Sequence, residues 1–158
     1  MYRIGQGSDI HRLETGKPLI LGGVSIESEK GAVGHSDADC LTHAVTDALL
    51  GALALGDIGL HFSDKDERWR GAESFVFLRF VVGLMKEKGF AVVNVDSTVS
   101  LETPRLRPHI DAMRENLANA LEIETGRVSV KAKTGEKVDA VGRSEAIKAD
   151  AVVLLKEG

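Results

Sequence analysis

The sequence predicts a single α/β (α+β) domain built as one mixed sheet with helices on one face. Segments of alternating, β-branched character interleave with segments of helical period, and an early strand–Gly-Gly–strand run demands antiparallel pairing within the same sheet. The length of 158 residues, with 43% hydrophobic and 28% charged side chains, suits one globular core. No internal repeat, linker or low-complexity stretch divides the chain, so one domain over residues 1–158 is expected.

In chain order, residues 2–12 read as a strand, and Pro18-Leu19-Ile20-Leu21-Gly22-Gly23-Val24-Ser25-Ile26 as two short strands around a Gly-Gly turn. Ser36 is the expected N-cap of a helix over residues 37–55, with Asp37 and Asp39 in its first turn. On that helix Leu41, Ala44, Val45, Ala48, Leu49 and Ala52 form an apolar stripe, while Asp39, His43 and Asp47 recur every four residues on another face. Gly56-Asp57-Ile58-Gly59 closes it, and residues 60–71 read as loop. A second helix is expected over 72–88, stopped by Gly89. Residues 92–101 alternate as a strand. Pro104 and Pro108 then break the chain before a third helix over 108–121. Residues 127–133 read as a strand, 134–143 as a loop and 147–155 as the last strand.

Composition excludes several classes. A formal charge of −4 argues against a chain that neutralises nucleic-acid phosphates. No stretch reaches the roughly 18 apolar residues that span a bilayer. Met1 leads directly into a polar strand pattern, so no signal peptide and a cytoplasmic location are expected. Cys40 is the single cysteine, which excludes an intrachain disulfide; its acidic neighbourhood disfavours a thiolate and makes it a packing residue.

Three residues stand out as ligands for a divalent metal. In a strand, Asp9 and His11 project from the same face, and His43 would reach them from a helix packed against it. Two imidazoles and a carboxylate suit zinc, and three protein ligands leave a fourth position open for chemistry. His43 also reads as part of an ordinary solvated helix face; alternatively, Asp47 accepts a proton from its second ring nitrogen and so fixes its tautomer. His35 precedes a helix N-terminus, where it either hydrogen-bonds an anion or stands in water. The run Lys131-Ala132-Lys133-Thr134-Gly135-Glu136-Lys137 suits a pyrophosphate, with Lys and Thr on phosphate oxygens and Glu136 on a hard cation such as Mg²⁺, or else it is a charged surface turn. It is not a Walker A motif, and Gly5-x-Gly7 lacks the third glycine of a dinucleotide fingerprint. His61 and His109 have no setting that assigns them a role.

Taken together these segments resemble the 2-C-methyl-D-erythritol 2,4-cyclodiphosphate synthase family. The resemblance is carried by Arg3-Ile4-Gly5-x-Gly7-x-Asp9-x-His11, Leu21-Gly22-Gly23-Val24, His35-Ser36-Asp37-x-Asp39, His43-Ala44-x-Thr46-Asp47-Ala48-Leu49-Leu50-Gly51 and Leu55-Gly56-Asp57-Ile58-Gly59. It continues through Phe62-x-Asp64, Asn94-Val95-Asp96, Pro108-His109-Ile110, Val130-Lys131-Ala132-x-Thr134-x-Glu136 and Gly142-Arg143.

The resemblance implies a four-stranded mixed sheet in each subunit of a homotrimer, with active sites at subunit interfaces. It implies zinc on Asp9, His11 and His43, and Mg²⁺ or Mn²⁺ on Glu136 with the substrate diphosphate. Asp9, Ile10 and His11 would also border the substrate. His35 and Ser36 would contact the methylerythritol phosphate, and Phe62, Ser63, Asp64, Lys65 and Asp66 would enclose the sugar alcohol. Asp57, Ile58 and Gly59 would face the ribose and erythritol region. Leu101, Pro104, Arg105, Leu106 and Arg107 would hold cytosine, largely through backbone groups. Lys133, Thr134, Gly135 and Glu136, with Arg143, would complete the phosphate side, and His35 and Thr134 would serve catalysis. An isoprenoid diphosphate is a candidate occupant of the trimer axis. The chain departs from the family's common pattern at Gly135, where a run of threonines is frequent, at Ala140, where an aromatic is frequent, and at Arg105 and Arg107.

The implied activity is that of a phosphorus–oxygen lyase. The 2-phosphate of 4-diphosphocytidyl-2-C-methyl-D-erythritol 2-phosphate attacks the β-phosphorus and CMP leaves, closing a cyclic diphosphate in non-mevalonate isoprenoid biosynthesis. Such a step needs position and charge neutralisation rather than a protein nucleophile. The rival readings are a non-catalytic metalloprotein that binds an isoprenoid diphosphate or nucleotide, and a zinc-dependent phosphodiesterase.

Overall fold

The computed structural model describes all of residues 1–158. The elements run β1 (Tyr2–Thr15), β2 (Leu19–Leu21), β3 (Val24–Ile26), β4 (Lys30–Ala32), α1 (Cys40–Ala52), α2 (Ile58–His61), α3 (Ser74–Glu87), β5 (Phe90–Ser100), α4 (Ile110–Leu121), β6 (Val128–Lys133), α5 (Asp139–Gly142) and β7 (Ala146–Glu157). Single 3₁₀ turns lie at Glu67–Trp69, Arg107–His109 and Thr125–Arg127.

The main sheet has five strands in the order β4-β1-β7-β5-β6, and β2 and β3 form a separate hairpin. Only the β5–β6 pair is parallel. The expected four strands become five because β1 runs on to Thr15 and pairs Leu13, Glu14 and Thr15 with Ala32, Gly31 and Lys30. A three-residue Lys-Gly-Ala strand carries neither alternation nor β-branched residues, so it has no sequence signal. One cluster of buried side chains joins the sheet to the helices, so the fold is a single α/β domain. No helix is long and apolar enough to cross a membrane.

The helix expected over 37–55 begins at Cys40, and its cap is Asp39 rather than Ser36. Asp39 accepts from the Thr42 N–H at 3.0 Å and also from Gly22 and Gly23 N–H at 3.0 and 2.8 Å. One carboxylate thus starts α1 and anchors the hairpin turn beside it, which a short seryl hydroxyl at position 36 does not do. Asp37 and Asp39 accordingly precede the helix instead of lying in its first turn. Residues 60–71 and 134–143, expected as loop, contain the short turns of helix α2, Glu67–Trp69 and α5, too brief to show a period.

The central packing event is α1 on β1. A Cβ added at Gly5 would fall 1.9 Å from the Ala48 carbonyl oxygen, and one at Gly7 would fall 2.0 Å from that of Ala44. The two glycines therefore let the helix backbone rest directly on the strand, which is the purpose the Gly-x-Gly spacing serves here. Gly7→Ala should lower the unfolding free energy by roughly 1–3 kcal/mol through overpacking. A denaturant midpoint indistinguishable from wild type would show that α1 does not bear on the strand as described.

Candidate metal centre and its cleft

Asp9 and His11 lie on the α1 side of β1, with Ile10 between them on the opposite face and 61% exposed. Ile10 therefore does not enter the cavity that His11 borders. His43 arrives from α1. The Asp9 Oδ2 stands 2.7 Å from His11 Nε2 and 3.2 Å from His43 Nδ1, and the two ring nitrogens are 3.4 Å apart. Zinc bound at about 2.0–2.1 Å in a tetrahedron needs donors about 3.3 Å apart, so the donor set and the 3.2 and 3.4 Å spacings fit the ion, while the 2.7 Å Asp9–His11 pair would open on binding.

The outer ring nitrogens are also engaged. His11 Nδ1 lies 2.9 Å from the Val33 carbonyl oxygen, which only accepts, so Nδ1 carries a hydrogen; Nε2 donates to Asp9 when the ring is protonated and would offer its lone pair to a metal when it is neutral. His43 Nε2 faces the hydroxyls of Ser74 and Ser36 at 2.7 and 3.1 Å. Asp47, one of the two alternatives for that ring, instead accepts from the Ile58 N–H at 2.7 Å. Helical side chains lean toward the N-terminus, so His43 reaches back to residue 36 and across to α3 while Asp47 stands one turn ahead.

Burial alone would raise the Asp9 carboxyl, but hydrogen bonds with His11 and His43 outweigh it and hold the group down at about 2. Burial would likewise lower His11, and its bond to Asp9 carries it above the ordinary imidazole value instead. Burial pushes the Cys40 thiol far up, aided by the charges of Asp9 and Asp39, so the one cysteine is no nucleophile.

A cavity of about 400 Å³ opens beside the triad. It brings His11 and His43 together with His35, Ser36, Ile58, Gly59, Phe62 and Asp64, all expected at the site. His35 is held by its Nε2, which donates to the Asp66 carbonyl at 2.9 Å and so ties the residue to the loop over 62–66. Several expected contacts use their side chains locally. Asp57 caps α2 by accepting from the Leu60 N–H at 3.0 Å, Ser63 accepts from Lys65 N–H at 3.2 Å, and Asp66 is clasped by Arg68.

The remaining expected residues form a second group that does not line this cavity. The Leu101 N–H donates to the Lys133 carbonyl at 2.9 Å, and Glu102 accepts from Gly135 N–H at 2.8 Å, joining the 101–107 turn to the 133–136 loop. Thr134 donates to Glu136 at 3.1 Å, and Arg143 pairs with Glu145 on the surface. In the strand order, β7 and β5 separate Asp9 on β1 from Lys133 on β6, and neither segment of the second group borders the cavity. The unusual Gly135 has a local cause: a Cβ there would lie 2.4 Å from the Gly142 nitrogen, so α5 occupies the space a threonine would need.

Comparison with known proteins resolves what such a site belongs to. The family model described as the YgbB family matches residues 2–156. The chain belongs to the YgbB family. Proteins of that family from Burkholderia mallei and Burkholderia pseudomallei, named 2-C-methyl-D-erythritol 2,4-cyclodiphosphate synthase, are 56% identical over 154 residues, covering 98% of this chain and 95% of theirs. A solved structure of 2C-methyl-D-erythritol-2,4-cyclodiphosphate synthase in a form bound to CDP superposes with a TM-score of 0.90 at 44% identity, over 98% of this chain and 100% of the other. The bifunctional IspDF of Campylobacter jejuni superposes with a TM-score of 0.96 at 37% identity, over all of this chain and 43% of that longer one.

Trp69, Phe77 and Gly34 also line the cavity of this YgbB-family chain, and sequence reasoning missed them. Phe62 stacks on Phe77 with centroids 4.4 Å apart, and Trp69 stands edge-on to Phe62 at 5.3 Å. Phe77 was hidden in an apolar helix face, and Trp69 in a charged run whose turn has no period. Ser74 and the Val33 carbonyl, which hold the outer ring nitrogens, carry no motif at all.

His43→Ala should abolish metal retention while the fold persists, because α1 keeps its contact with β1 and only a polar side chain is lost. Elemental analysis after dialysis checks this, with circular dichroism for the fold. Full zinc occupancy in the variant would remove His43 from the ligand set.

Proposed function

We propose that this chain is a 2-C-methyl-D-erythritol 2,4-cyclodiphosphate synthase. It converts 4-diphosphocytidyl-2-C-methyl-D-erythritol 2-phosphate to the 2,4-cyclodiphosphate and CMP, a phosphorus–oxygen lyase reaction of non-mevalonate isoprenoid biosynthesis. The observation that carries this reading is the Asp9–His11–His43 triad beside a cavity of about 400 Å³, in a chain 56% identical to proteins named for that activity. The CDP-bound relatives, including an IspF of Plasmodium falciparum, support a cytidine nucleotide as the ligand.

In this reading residues 1–158 form the synthase domain and the protein works in the cytoplasm. Asp9, His11 and His43 would hold zinc, and Glu136 would hold Mg²⁺ or Mn²⁺. When bound, these cations polarise the phosphoryl oxygens and offset charge on the departing nucleotide. The chain's own groups do the rest. His35 and Ser36, fixed at the cavity edge, position the 2-phosphate. Ile58, Gly59, Phe62 and Asp64 enclose the methylerythritol and exclude water from the bond being formed. The 101–107 turn holds the base through its backbone, and Lys133, Thr134 and Gly135, with Arg143, take the phosphates. No side chain attacks phosphorus, in keeping with the inert Cys40.

The two groups of residues meet in a homotrimer, the cleft of one subunit completed by the nucleotide turn of the next. The outer sheet face supports this reading: Ile4, Ile10 and Val152 are 71%, 61% and 40% exposed there, an apolar surface of the kind that marks association. An isoprenoid diphosphate is the ligand we assign to the axis that this face would enclose.

Incubating the pure protein with substrate and Mg²⁺ and reading products by phosphorus NMR should give the cyclic diphosphate and CMP. A linear hydrolysis product would replace this reading by a phosphodiesterase. Mixing inactive Asp64→Ala and Thr134→Ala proteins should restore activity after subunit exchange, whereas no recovery despite proven exchange would place each site within one chain. Glu136→Gln should keep zinc yet need at least about tenfold more Mg²⁺, with the loss mainly in kcat because charge builds on the leaving group. Loss of zinc in that variant would reject the division of the two cations.

A further inference from the structure

We propose that Ser74, oriented by Asp37, is the positioning residue that sets the tautomer and ring plane of His43. The inference rests on the reading of Asp9, His11 and His43 as a metal site. Ser74 is the first residue of α3, fully buried, and its Oγ stands 2.7 Å from His43 Nε2. The same hydroxyl makes a short hydrogen bond to Asp37 Oδ1. A serine has a single hydroxyl hydrogen and a carboxylate only accepts, so that hydrogen points to Asp37 and the oxygen lone pairs point to the ring. His43 Nε2 must then donate, so in the neutral ring that a metal requires the lone pair lies on Nδ1, which stands 3.2 Å from Asp9 Oδ2 and 3.4 Å from His11 Nε2.

Asp37 is itself held in place. Its Oδ2 accepts from the Ser74 N–H at 3.0 Å and its Oδ1 from the Asp39 N–H at 3.1 Å. The carboxylate–hydroxyl–imidazole chain therefore has one direction of donation from His43 to Asp37. Ser36 is the competing acceptor, but its Oγ lies farther from the ring at 3.1 Å, also accepts from Ala38 N–H at 3.3 Å, and has no carboxylate to turn its hydrogen away from the imidazole. Asp47 is not a hydrogen-bond partner of the ring, whose partners are Ser74, Ser36, Asp9 and His11. Outer partners of metal-bound imidazoles raise ligand basicity and fix ring orientation, and their loss typically weakens metal binding 10–100-fold.

The test titrates metal-free wild-type, Ser74→Ala, Asp37→Asn and double-variant protein with Zn²⁺ against a competing chelator, and records the visible spectrum of each Co²⁺-loaded form. Ser74→Ala should bind Zn²⁺ about 10–100-fold more weakly and shift the cobalt bands. The double variant should lose little beyond Ser74→Ala, since both act through one hydroxyl. Ser74→Thr, which restores the hydroxyl, should recover the affinity. Wild-type affinity and an unchanged cobalt spectrum in Ser74→Ala would overturn the relay while leaving the metal site standing. So would a Ser36→Ala variant that alone weakened binding. Wild-type protein that binds neither ion would overturn the metal reading, and the relay with it. Should Ser74→Ala fail to fold, Asp37→Asn decides on the same two readouts: weaker Zn²⁺ binding supports the relay, and undiminished binding overturns it.

Discussion

The structure depends on how closely α1 approaches β1. Gly5 and Gly7 present no side chain to the helix, and Ala44, Ala48 and Ala52 face them with the smallest of side chains, so backbone meets backbone along about two turns. His43 lies next to Ala44, and Asp9 and His11 follow directly after Gly7. The contact that seats the helix therefore also sets the distance between the donors on strand and helix. A functional constellation tolerates displacements of only about 0.5 Å, and a methyl group on either glycine would move the helix farther than that.

Around this contact the buried polar groups share the work between two aspartates. Asp39 starts α1 and holds the Gly22–Gly23 turn, where both residues have φ above zero and the close packing of Met113 and Phe75 leaves no room for side chains. Asp37 holds the start of α3 through the backbone and hydroxyl of Ser74. His43 sits between these anchors with both ring nitrogens engaged. No buried side-chain nitrogen or oxygen lacks a partner, so the polar cluster stiffens the core beside the cavity instead of straining it.

The sheet order also imposes a separation. The strands between the triad and the 133–136 loop are β7 and β5, whose inward residues, such as Ile147, Ala149, Val95 and Val99, are sealed in the core. Strands lie about 4.8 Å apart, so three spacings separate the two groups by roughly 14 Å before side chains are counted.

Much of this was legible in the sequence because it is written in local pattern. Alternation marked β1, β5, β6 and β7, helical period marked α1, α3 and α4, and Asp-x-His on a strand placed two donors on one face. The resemblance to the synthases supplied the site residues as a set. The fifth strand was not legible, since Lys30–Ala32 pairs only because β1 extends past the site to meet it. The cap moved from Ser36 to Asp39 because a hairpin turn distant in sequence needed the same carboxylate. The partner of His43 changed from Asp47 to Ser74 for a similar reason: periodicity records neighbours along a helix, whereas the ring points across to another. By itself the sequence determined which residue types are available and which face each element buries. Tertiary structure alone decided which polar groups meet, because hydrogen bonds between distant segments depend on the helix–strand distance that Gly5 and Gly7 allow.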